Sequence, residues 1–370
     1  MINFFKILAR LCYGIVVRVK NIVTLLLHDE LWNGNTYFPE NHYERKGKQA
    51  IFMDQVLNIV KYGYPNKFYF LYGFDVKNFH RQEDYVDYSL FMRRRDKKNY
   101  FSRNTPIVIL RNKSFFGIVS AAYGINTPIN ISLIQNGQVY LFDKEKEVDV
   151  RTFIGASSFD AFLKKVDGEC ADDVYHLVSD NGKLFLGGKE ISVLALENIL
   201  EKGGFLLQEK ILNQHSAISA IYEQSINTVR LVTVYNPHLN IVEVLSAVLR
   251  VGCNGCNVDN WAIGGLAIGI DMEKCTLRKY GFYKPTFGTK VTEHPDTHVV
   301  FEGREIPYLQ EAIKQAKDFH YVLRGVHSIG WDIAITEGGP CFVEGNDNWE
   351  ISLMQICNHG YTKEFKRLFY

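Results

Sequence analysis

The second half of the chain carries short apolar runs whose spacing predicts β-strands. The run 226–252 is rich in β-branched residues and is interrupted by an Asn-Pro pair, which predicts two buried strands joined by a turn. The stretch 330–350 holds two apolar runs on either side of a Glu-Gly-Gly-Pro turn, which predicts a hairpin. Strand patterns also occur at 131–142, 160–169 and 204–211.

Helical patterns surround these strands. Residues 307–323 place apolar side chains along one face after Pro307, which predicts a helix. The run 106–128 predicts a short strand, then a helix ending at Gly124. Residues 29–104 predict a mainly helical lead-in. The fold class expected from the whole pattern is α+β, with mostly antiparallel strands in the C-terminal half.

Residues 2–27 have the pattern of an amphipathic basic helix. Apolar residues recur at three-and-four spacing, while Lys6, Arg10, Arg18 and Lys20 lie mostly off that stripe. The basic residues interrupt every apolar run well short of the roughly 20 residues that span a bilayer. Two interpretations remain open: a helix lying in the lipid headgroup region, and a helix docked on the protein's own core.

Composition and charge narrow the class of protein. The chain has 370 residues, of which 46% are hydrophobic and 22% charged, so a globular protein with a large core is expected. The formal net charge of +1 gives no electrostatic case for a nucleic-acid partner. The chain has seven cysteines, which is an odd number, and its sequence shows no secretory signal. Both features favour free thiols and a cytoplasmic location.

The predicted hairpin concentrates oxygen-bearing side chains. Glu344 and Asn346 lie two apart and so share a strand face, and Asp332 lies across from them if the strands pair antiparallel. Such oxygen ligands suit Mg²⁺ in a phosphoryl-transfer site. The alternative is an ordinary polar face of a solvent-exposed hairpin. Trp331 and Trp349 are expected to be packing anchors.

Several stretches in matching order, from about residue 105 to 357, resemble the sugar-transfer-associated ATP-grasp family. A set of motifs in order is more specific than any one of them. The resemblance implies two α+β lobes that clamp ATP, here residues 105–205 and 206–370, preceded by the basic helix 1–28 and the helical region 29–104. The stretches are 224-QSINTVRLVTV-234, 258-VDNWAIGG-265, 294-HPDT-297, 303-GREIP-307, 330-GWDIAIT-336 and 343-VEGNDNW-349.

The resemblance also implies a role for each matching residue. Asp332, Glu344 and Asn346 would hold Mg²⁺ at the β and γ phosphates of ATP. Lys164 and Arg230 would be catalytic, and Arg230 would also meet substrate together with Asp259 and Asn260. The nucleotide would be bound by Lys113, Lys164, Gln208, Glu209 and Ile211.

One loop departs from the family pattern. Where a glycine-rich loop would close over the phosphates, the chain has 167-DGECADDVYH-176, with one glycine among several acidic residues. Backbone close to phosphate normally needs glycine, so a non-catalytic member of the fold is an alternative. His294 could be an acid–base group or the cap of its His-Pro-Asp turn.

The leading hypothesis is an ATP-dependent carboxylate–amine ligase that forms an amide through an acyl phosphate. The family description suggests a glycan or small-molecule carboxylate and an amine as substrates, in cell-surface polysaccharide biosynthesis. The alternatives are a non-catalytic nucleotide-binding protein and a sugar phosphotransferase. The expected location is the cytoplasm, with peripheral contact to the inner membrane face through residues 2–27.

Overall fold

A computed structural model describes residues 2–100, 106–144, 146–168 and 173–370. A helical N-terminal region precedes two β-sheets, and every strand pair in these ranges is antiparallel. The α+β class and the helical lead-in expected from the sequence are therefore confirmed.

The helices begin and end as follows: α1 (Ile2–Leu27), α2 (Lys48–Tyr62), α3 (Tyr88–Tyr100), α4 (Ile107–Arg111), α5 (Lys113–Ala122), α6 (Val150–Ala156), α7 (Val193–Leu200), α8 (Ser216–Ser219), α9 (Leu309–Val322), α10 (Ile351–Cys357) and α11 (Thr362–Phe369). The strands are β1 (Asn130–Gln135), β2 (Gln138–Leu141), β3 (Lys146–Asp149), β4 (Phe159–Lys165), β5 (Val174–Asp180), β6 (Lys183–Leu186), β7 (Lys189–Ile191), β8 (Phe205–Glu209), β9 (Thr228–Asn236), β10 (Ile241–Val251), β11 (Leu266–Asp271), β12 (Thr276–Phe282), β13 (Lys290–Val291), β14 (Ser328–Thr336) and β15 (Gly339–Asn346).

The first lobe is built on an eight-stranded sheet in the order β3-β2-β1-β8-β4-β5-β6-β7. Its core is a separate apolar cluster to which α6 and α7 contribute Phe153, Ile154 and Leu196. Strand β8 lies in the interior of this sheet, between β1 and β4. Residues 206–209 therefore belong to the first sheet, past the lobe boundary predicted at residue 205.

The second lobe is built on a seven-stranded sheet in the order β13-β12-β11-β10-β9-β14-β15. Helix α9 covers one face, where Leu309, Ala316 and Phe319 join the strand core. The N-terminal region, α10 and α11 cover part of the other face through a second apolar cluster. The rest of that second face carries the charged residues of the candidate site.

The predicted strand at the start of 106–128 is wrong, because residues 107–111 form helix α4. The run Ile-Val-Ile-Leu has strand propensity, but Leu110 is buried in the core of the second lobe, against β15. A Cβ on Gly345 of β15 would lie 2.8 Å from Leu110 Cδ2. Tertiary packing of this turn of helix thus overrides the local preference. The strands and hairpin predicted within 131–142, 160–169, 204–211, 226–252 and 330–350, and the helix predicted at 307–323, are present.

Helix α1 lies against α2, with most of residues 11–27 exposed. Arg18 Nε donates to Val60 O at 2.8 Å, and Asn21 Nδ2 donates to Gly63 O at 2.7 Å. Leu25 is the one side chain of residues 11–27 that is fully buried. In the part of the chain that the structure describes, no helix is both long and apolar enough to cross a membrane.

Candidate active site

Three neighbouring strands bring the predicted metal ligands together on one face of the second sheet. Asp332 on β14 lies opposite Glu344 on β15 and opposite Arg230 on β9. Side chains of residues that pair in register share a face, and Asn346, two residues beyond Glu344, joins them. Asn346 Nδ2 lies 3.3 Å from Asp332 Oδ2 and 3.1 Å from Glu344 Oε1.

Asp332 is a buried carboxylate held by two arginines. Arg230 donates to both of its oxygens, with Nη2 2.9 Å from Oδ2, and Arg250 Nη2 lies 3.1 Å from the same oxygen. The side chain of Asp332 is 2% exposed and those of both arginines are 12% exposed. Burial opposes ionisation, but the two guanidinium charges hold the pKa of Asp332 at about 2. Asp332 is therefore ionised at neutral pH.

Arg250 is the residue of this cluster that the sequence analysis missed. It lies on β10 opposite Thr228, two residues beyond the partner of Arg230, and so faces the same side of the sheet. The signal that marks Arg230, an arginine inside a hydrophobic strand, is equally present in Val248-Leu249-Arg250-Val251. The local sequence therefore marks both arginines equally.

Asp259 joins the cluster through Arg250, whose Nη2 lies 3.2 Å from Asp259 Oδ1. The other carboxylate oxygen accepts from the Thr228 backbone N at 3.0 Å. Burial raises the pKa of Asp259, and the charge of Arg250 opposes this. Asn260 Oδ1 accepts from Ala262 N at 2.9 Å and caps a short 3-10 turn. Both predicted substrate residues thus lie on the loop beside the arginines.

Glu344 differs from Asp332 in having an elevated pKa. Burial raises it first, and the negative charge of Asp332 raises it further. Two carboxylates and one amide held this closely form an oxygen donor set of the kind Mg²⁺ takes, and a cation would relieve their repulsion. Within the described ranges no group of three His, Cys, Asp or Glu side chains is placed to hold a metal. The oxygens of Asp332, Glu344 and Asn346 are chemically suited to Mg²⁺. In this structure Asn346 turns its Nδ2 toward the two carboxylates, and two arginines bind Asp332.

Lys164 on β4 of the first lobe faces this hairpin. Its Nζ donates to Gln208 Oε1 at 2.7 Å, and Gln208 Nε2 donates to Asn130 Oδ1 at 2.9 Å. Burial lowers the pKa of Lys164 to about 8, with the charge of Lys113 acting in the same direction and that of Glu344 opposing it. Lysines from the first lobe thus lie across from carboxylates of the second.

Lys113 begins helix α5. Its backbone N donates to Val166 O at 3.0 Å and its Nζ donates to Gly168 O, which ties it to the chain leaving β4. Its charge lowers the pKa of both Lys164 and Glu344. The predicted pair of phosphate lysines is therefore on one side of the cleft.

The predicted adenine segment leaves the first sheet at the C-terminal end of β8. Glu209 is exposed, and its backbone N donates to Ile129 O at 2.8 Å. Ile211 is half-buried in the coil that follows, after Lys210, whose Nζ lies 3.0 Å from Asp160 Oδ2. Contact of Glu209 and Ile211 with a nucleotide stays a prediction.

The acidic loop 167–176 is described only in part, since residues 169–172 lie outside the described residues. Asp173, in left-handed backbone conformation with φ 52°, accepts from Tyr175 Oη at 2.6 Å and lies 3.4 Å from Lys202 Nζ. Lys202 therefore partly offsets the charge of this acid, which lowers its repulsion toward a phosphate.

His294 and the two tryptophans have structural surroundings. His294 is fully buried, with Nε2 2.8 Å from Gly252 O and Nδ1 accepting from Asp296 N at 3.2 Å, as in the turn-capping alternative. Trp331 and Trp349 are 0% and 1% exposed, so both are packing anchors as predicted.

Asp347 also gains a partner that the sequence did not indicate. Arg111 of α4 donates to both of its oxygens, Nε at 3.1 Å and Nη2 at 2.9 Å. Asp347 is buried and follows β15 directly, so this pair fixes the end of the hairpin to α4. The two residues lie 236 positions apart, so the sequence alone does not indicate that they pair.

The solved structures to which the chain is similar include two synthetases and a ligase. D-alanyl-alanine synthetase A from Vibrio cholerae O1 biovar eltor is 9% identical, with 70% of this chain and 64% of that chain covered and a TM-score of 0.40. D-alanine-D-alanine ligase from Helicobacter pylori is 11% identical, with 70% of this chain and 58% of that chain covered and a TM-score of 0.39. An ADP complex of purK, an N5-carboxyaminoimidazole ribonucleotide synthetase, is 12% identical, with 66% of this chain and 46% of that chain covered and a TM-score of 0.39. The chain thus spans less than two thirds of the length of each.

The family comparison covers most of the chain. No curated protein matches the sequence. The model of the family described as sugar-transfer associated ATP-grasp matches residues 92–367, which include both lobes and every residue of the charged cluster. The chain belongs to the sugar-transfer associated ATP-grasp family.

Proposed function

We propose that the protein is an ATP-dependent carboxylate–amine ligase. The observation that carries the proposal is the meeting of Asp332, Glu344 and Asn346 on one sheet face, across from Lys164 of the other lobe. Membership of an ATP-grasp family agrees with ATP-dependent ligation at the level of reaction class. Opposed anionic and cationic groups in a cleft are what a Mg²⁺-bound triphosphate requires.

In the proposed reaction a substrate carboxylate oxygen attacks the γ-phosphorus of ATP and ADP leaves, giving an acyl phosphate. An amine then attacks the acyl carbon, inorganic phosphate leaves, and the amine loses a proton to give the amide. Asp332, Glu344 and Asn346 would hold Mg²⁺, which when bound would offset the charge of the β and γ phosphates. Lys164 would do the same from the first lobe in its protonated form.

The remaining residues position these groups. Arg230 and Arg250 keep Asp332 ionised and fix its orientation, because both guanidinium groups bind its oxygens and are largely buried. Arg230 would meet a substrate carboxylate, with Asp259 and Asn260 on the adjoining loop. Lys113, Gln208, Glu209 and Ile211 would line the nucleotide side.

The substrate class rests on the family description alone. Sugar transfer suggests a glycan carboxylate, such as that of a uronic acid, joined to an amine in cell-surface polysaccharide assembly. A panel of uronic acids and amino acids, assayed for ATP-dependent phosphate release and analysed by mass spectrometry, tests this. An amide product supports the ligase, and a phosphorylated sugar identifies a phosphotransferase.

Two substitutions test the mechanism. Asp332→Asn and Glu344→Gln are each expected to lower phosphate release at least about 100-fold, as loss of a charge-stabilising group does. Glu273→Gln, an exposed residue between β11 and β12, is the matched control and should leave the rate unchanged. Unchanged release in the first two variants contradicts the ligase.

A second candidate is a nucleotide-binding protein without ligase activity. The observation that favours it is the engagement of Asp332 by two arginines, which compete with a metal for its oxygens. Such a protein would bind Mg·ATP in a thermal-shift titration and release no phosphate with any acid and amine.

A further inference from the structure

Helix α1 leaves an apolar stripe exposed, although its Leu25 is fully buried. The side chains it turns toward α2 include Arg18 and Asn21, which bond to Val60 O and Gly63 O. Within residues 11–27 most of the exposed side chains are apolar, and Lys20 is exposed among them. Between residues 15 and 26, the large apolar side chains that are 49–63% exposed are Ile15, Val16, Val19, Val23 and Leu26.

Helix α2 likewise exposes an apolar stripe, although its buried residues include the apolar Ile51 and Ile59 beside two polar side chains. Gln55 is 0% exposed and donates to Asn66 O at 3.1 Å, and Asn58 is 9% exposed and donates to Asp87 Oδ2 at 3.1 Å. Its outward side chains are Met53, Leu57 and Val60, which are 53–60% exposed. Positions three and four apart lie on one helix face, so these three form a stripe.

The two stripes adjoin where Arg18 bonds to the carbonyl of Val60, beside Val19. We call the eight residues together the two-helix apolar surface: Ile15, Val16, Val19, Val23, Leu26, Met53, Leu57 and Val60. A contiguous exposed apolar surface of this kind marks an interaction site, because a soluble protein normally keeps such residues apart or buried.

The two helices that carry this surface are rich in basic residues. The two helices contain six basic residues and one acid, although the whole chain has a net charge of only +1. That acid, Asp54, is bonded to Lys46 Nζ at 2.7 Å and to Tyr69 Oη at 2.5 Å, so its charge is already offset. The basic residues are Lys6, Arg10, Arg18, Lys20, Lys48 and Lys61.

We infer that the two-helix apolar surface lies on the face of an anionic lipid bilayer. An apolar stripe inserted at the acyl boundary, with lysines and arginines reaching lipid phosphates, matches both the exposure and the charge of α1 and α2. A second copy of the chain fits less well, since a symmetric interface would place one basic pair of helices against another. The helices lie on the bilayer and do not cross it.

This inference extends the membrane contact expected for residues 2–27 to a second helix, while the opposite side of α1, with Arg18, Asn21 and the buried Leu25, contacts the protein itself. It does not depend on the ligase proposal. If both hold, the site would work on substrates presented at a membrane surface.

Co-sedimentation with vesicles tests the inference in the full-length protein. Vesicles of phosphatidylglycerol and phosphatidylcholine are compared with vesicles of phosphatidylcholine alone. The test variant is Val19→Glu with Leu57→Glu, and the matched control is Leu194→Glu with Leu239→Glu. The four positions are 56%, 60%, 62% and 61% exposed, so neither pair disturbs a core, and thermal unfolding of both variants verifies this.

The wild type and the control are expected to bind the anionic vesicles roughly tenfold or more tightly than the neutral ones, and less tightly as salt rises. The test variant should lose about tenfold or more of that binding. Three results overturn the inference: no wild-type binding to anionic vesicles, equal binding by the test variant, or a concentration-dependent dimer in sedimentation velocity that the test variant abolishes. The last would assign the surface to a second copy.

Discussion

Strand β14 separates two different uses of the same sheet. On one face, Trp331 and Ile333 are fully buried beneath α9, with the Trp331 ring centroid 5.4 Å from that of Phe319. On the other face, the residue between them, Asp332, lies between Arg230 and Arg250. Alternation along one strand thus places core packing and charged chemistry one residue apart.

The two faces are expected to contribute differently to the free energy of unfolding. Burying an aromatic ring contributes free energy directly. Burying an ion pair costs desolvation that its attraction roughly repays, so a buried charge cluster is weak evidence of a stabilising role. The carboxylates of the charged face are therefore better explained by chemistry than by stability.

The largest expected effect is on the apolar face. Trp331→Ala should lower the free energy of unfolding by about 4 kcal/mol, because it removes a fully buried ring and its Nε1 bond to Thr233 Oγ1 at 2.7 Å. Urea unfolding followed by circular dichroism measures this. Leu239→Ala, exposed on the β9–β10 turn, is the control and should change stability by less than about 0.5 kcal/mol.

Asp332→Asn should come next, with a loss of about 3 kcal/mol, because it leaves two buried guanidinium groups without their counter-charge. In a double-mutant cycle with Arg230→Met, the pair should show a coupling of about 1–3 kcal/mol. Additive losses in that cycle would mean that the ion pair is not formed.

Glu344→Gln should separate stability from chemistry on the charged face. Because the folded-state pKa of Glu344 is raised, the folded protein binds more protons than the unfolded chain above the ordinary glutamate pKa. Wild-type stability should therefore fall as pH rises through that window, and the variant should not share the fall. At pH 7 the variant should lose no more than about 0.5 kcal/mol. A larger loss would give Glu344 a structural role.

The smallest effect concerns Lys164 in the first lobe. ¹³C-methylated lysine NMR should show one resonance titrating near pH 8, absent in Lys164→Arg. A bound triphosphate favours the protonated form, so Mg·ATP should raise this pKa, and ATP affinity should weaken as pH rises through about 8. A midpoint that Mg·ATP does not move would exclude contact between Lys164 and phosphate.

The sequence indicates local features of the site better than its long-range contacts. Asp332, Glu344 and Asn346 were found because strand periodicity and a short turn fix their relative positions within 21 residues of chain. The pairing of Arg250 with Asp332 and of Arg111 with Asp347 depends on strand order and on where α4 lies, neither of which is encoded in spacing.

The same contrast holds for the fold. Apolar runs bounded by turns predicted the hairpin β14–β15 and helix α9, because one burial pattern suffices for each. Helix α4 was predicted as a strand because its apolar run is too short for periodicity to distinguish the two, and its packing against Gly345 decides the outcome. Likewise the spacing of residues 2–27 predicts an apolar stripe, but only the contacts of α1 to α2 show that the stripe points outward.

The central claim is that the charged face is a cation-dependent nucleotide site. Isothermal titration calorimetry tests it most directly, with ATP titrated into the wild type and into Glu344→Gln, each in Mg²⁺ and in EDTA. Wild type should bind ATP in Mg²⁺ and lose at least about tenfold in affinity in EDTA, while the variant should be weakened in Mg²⁺ to a similar degree. Equal affinities in all four titrations, or no binding by the wild type, would contradict the claim.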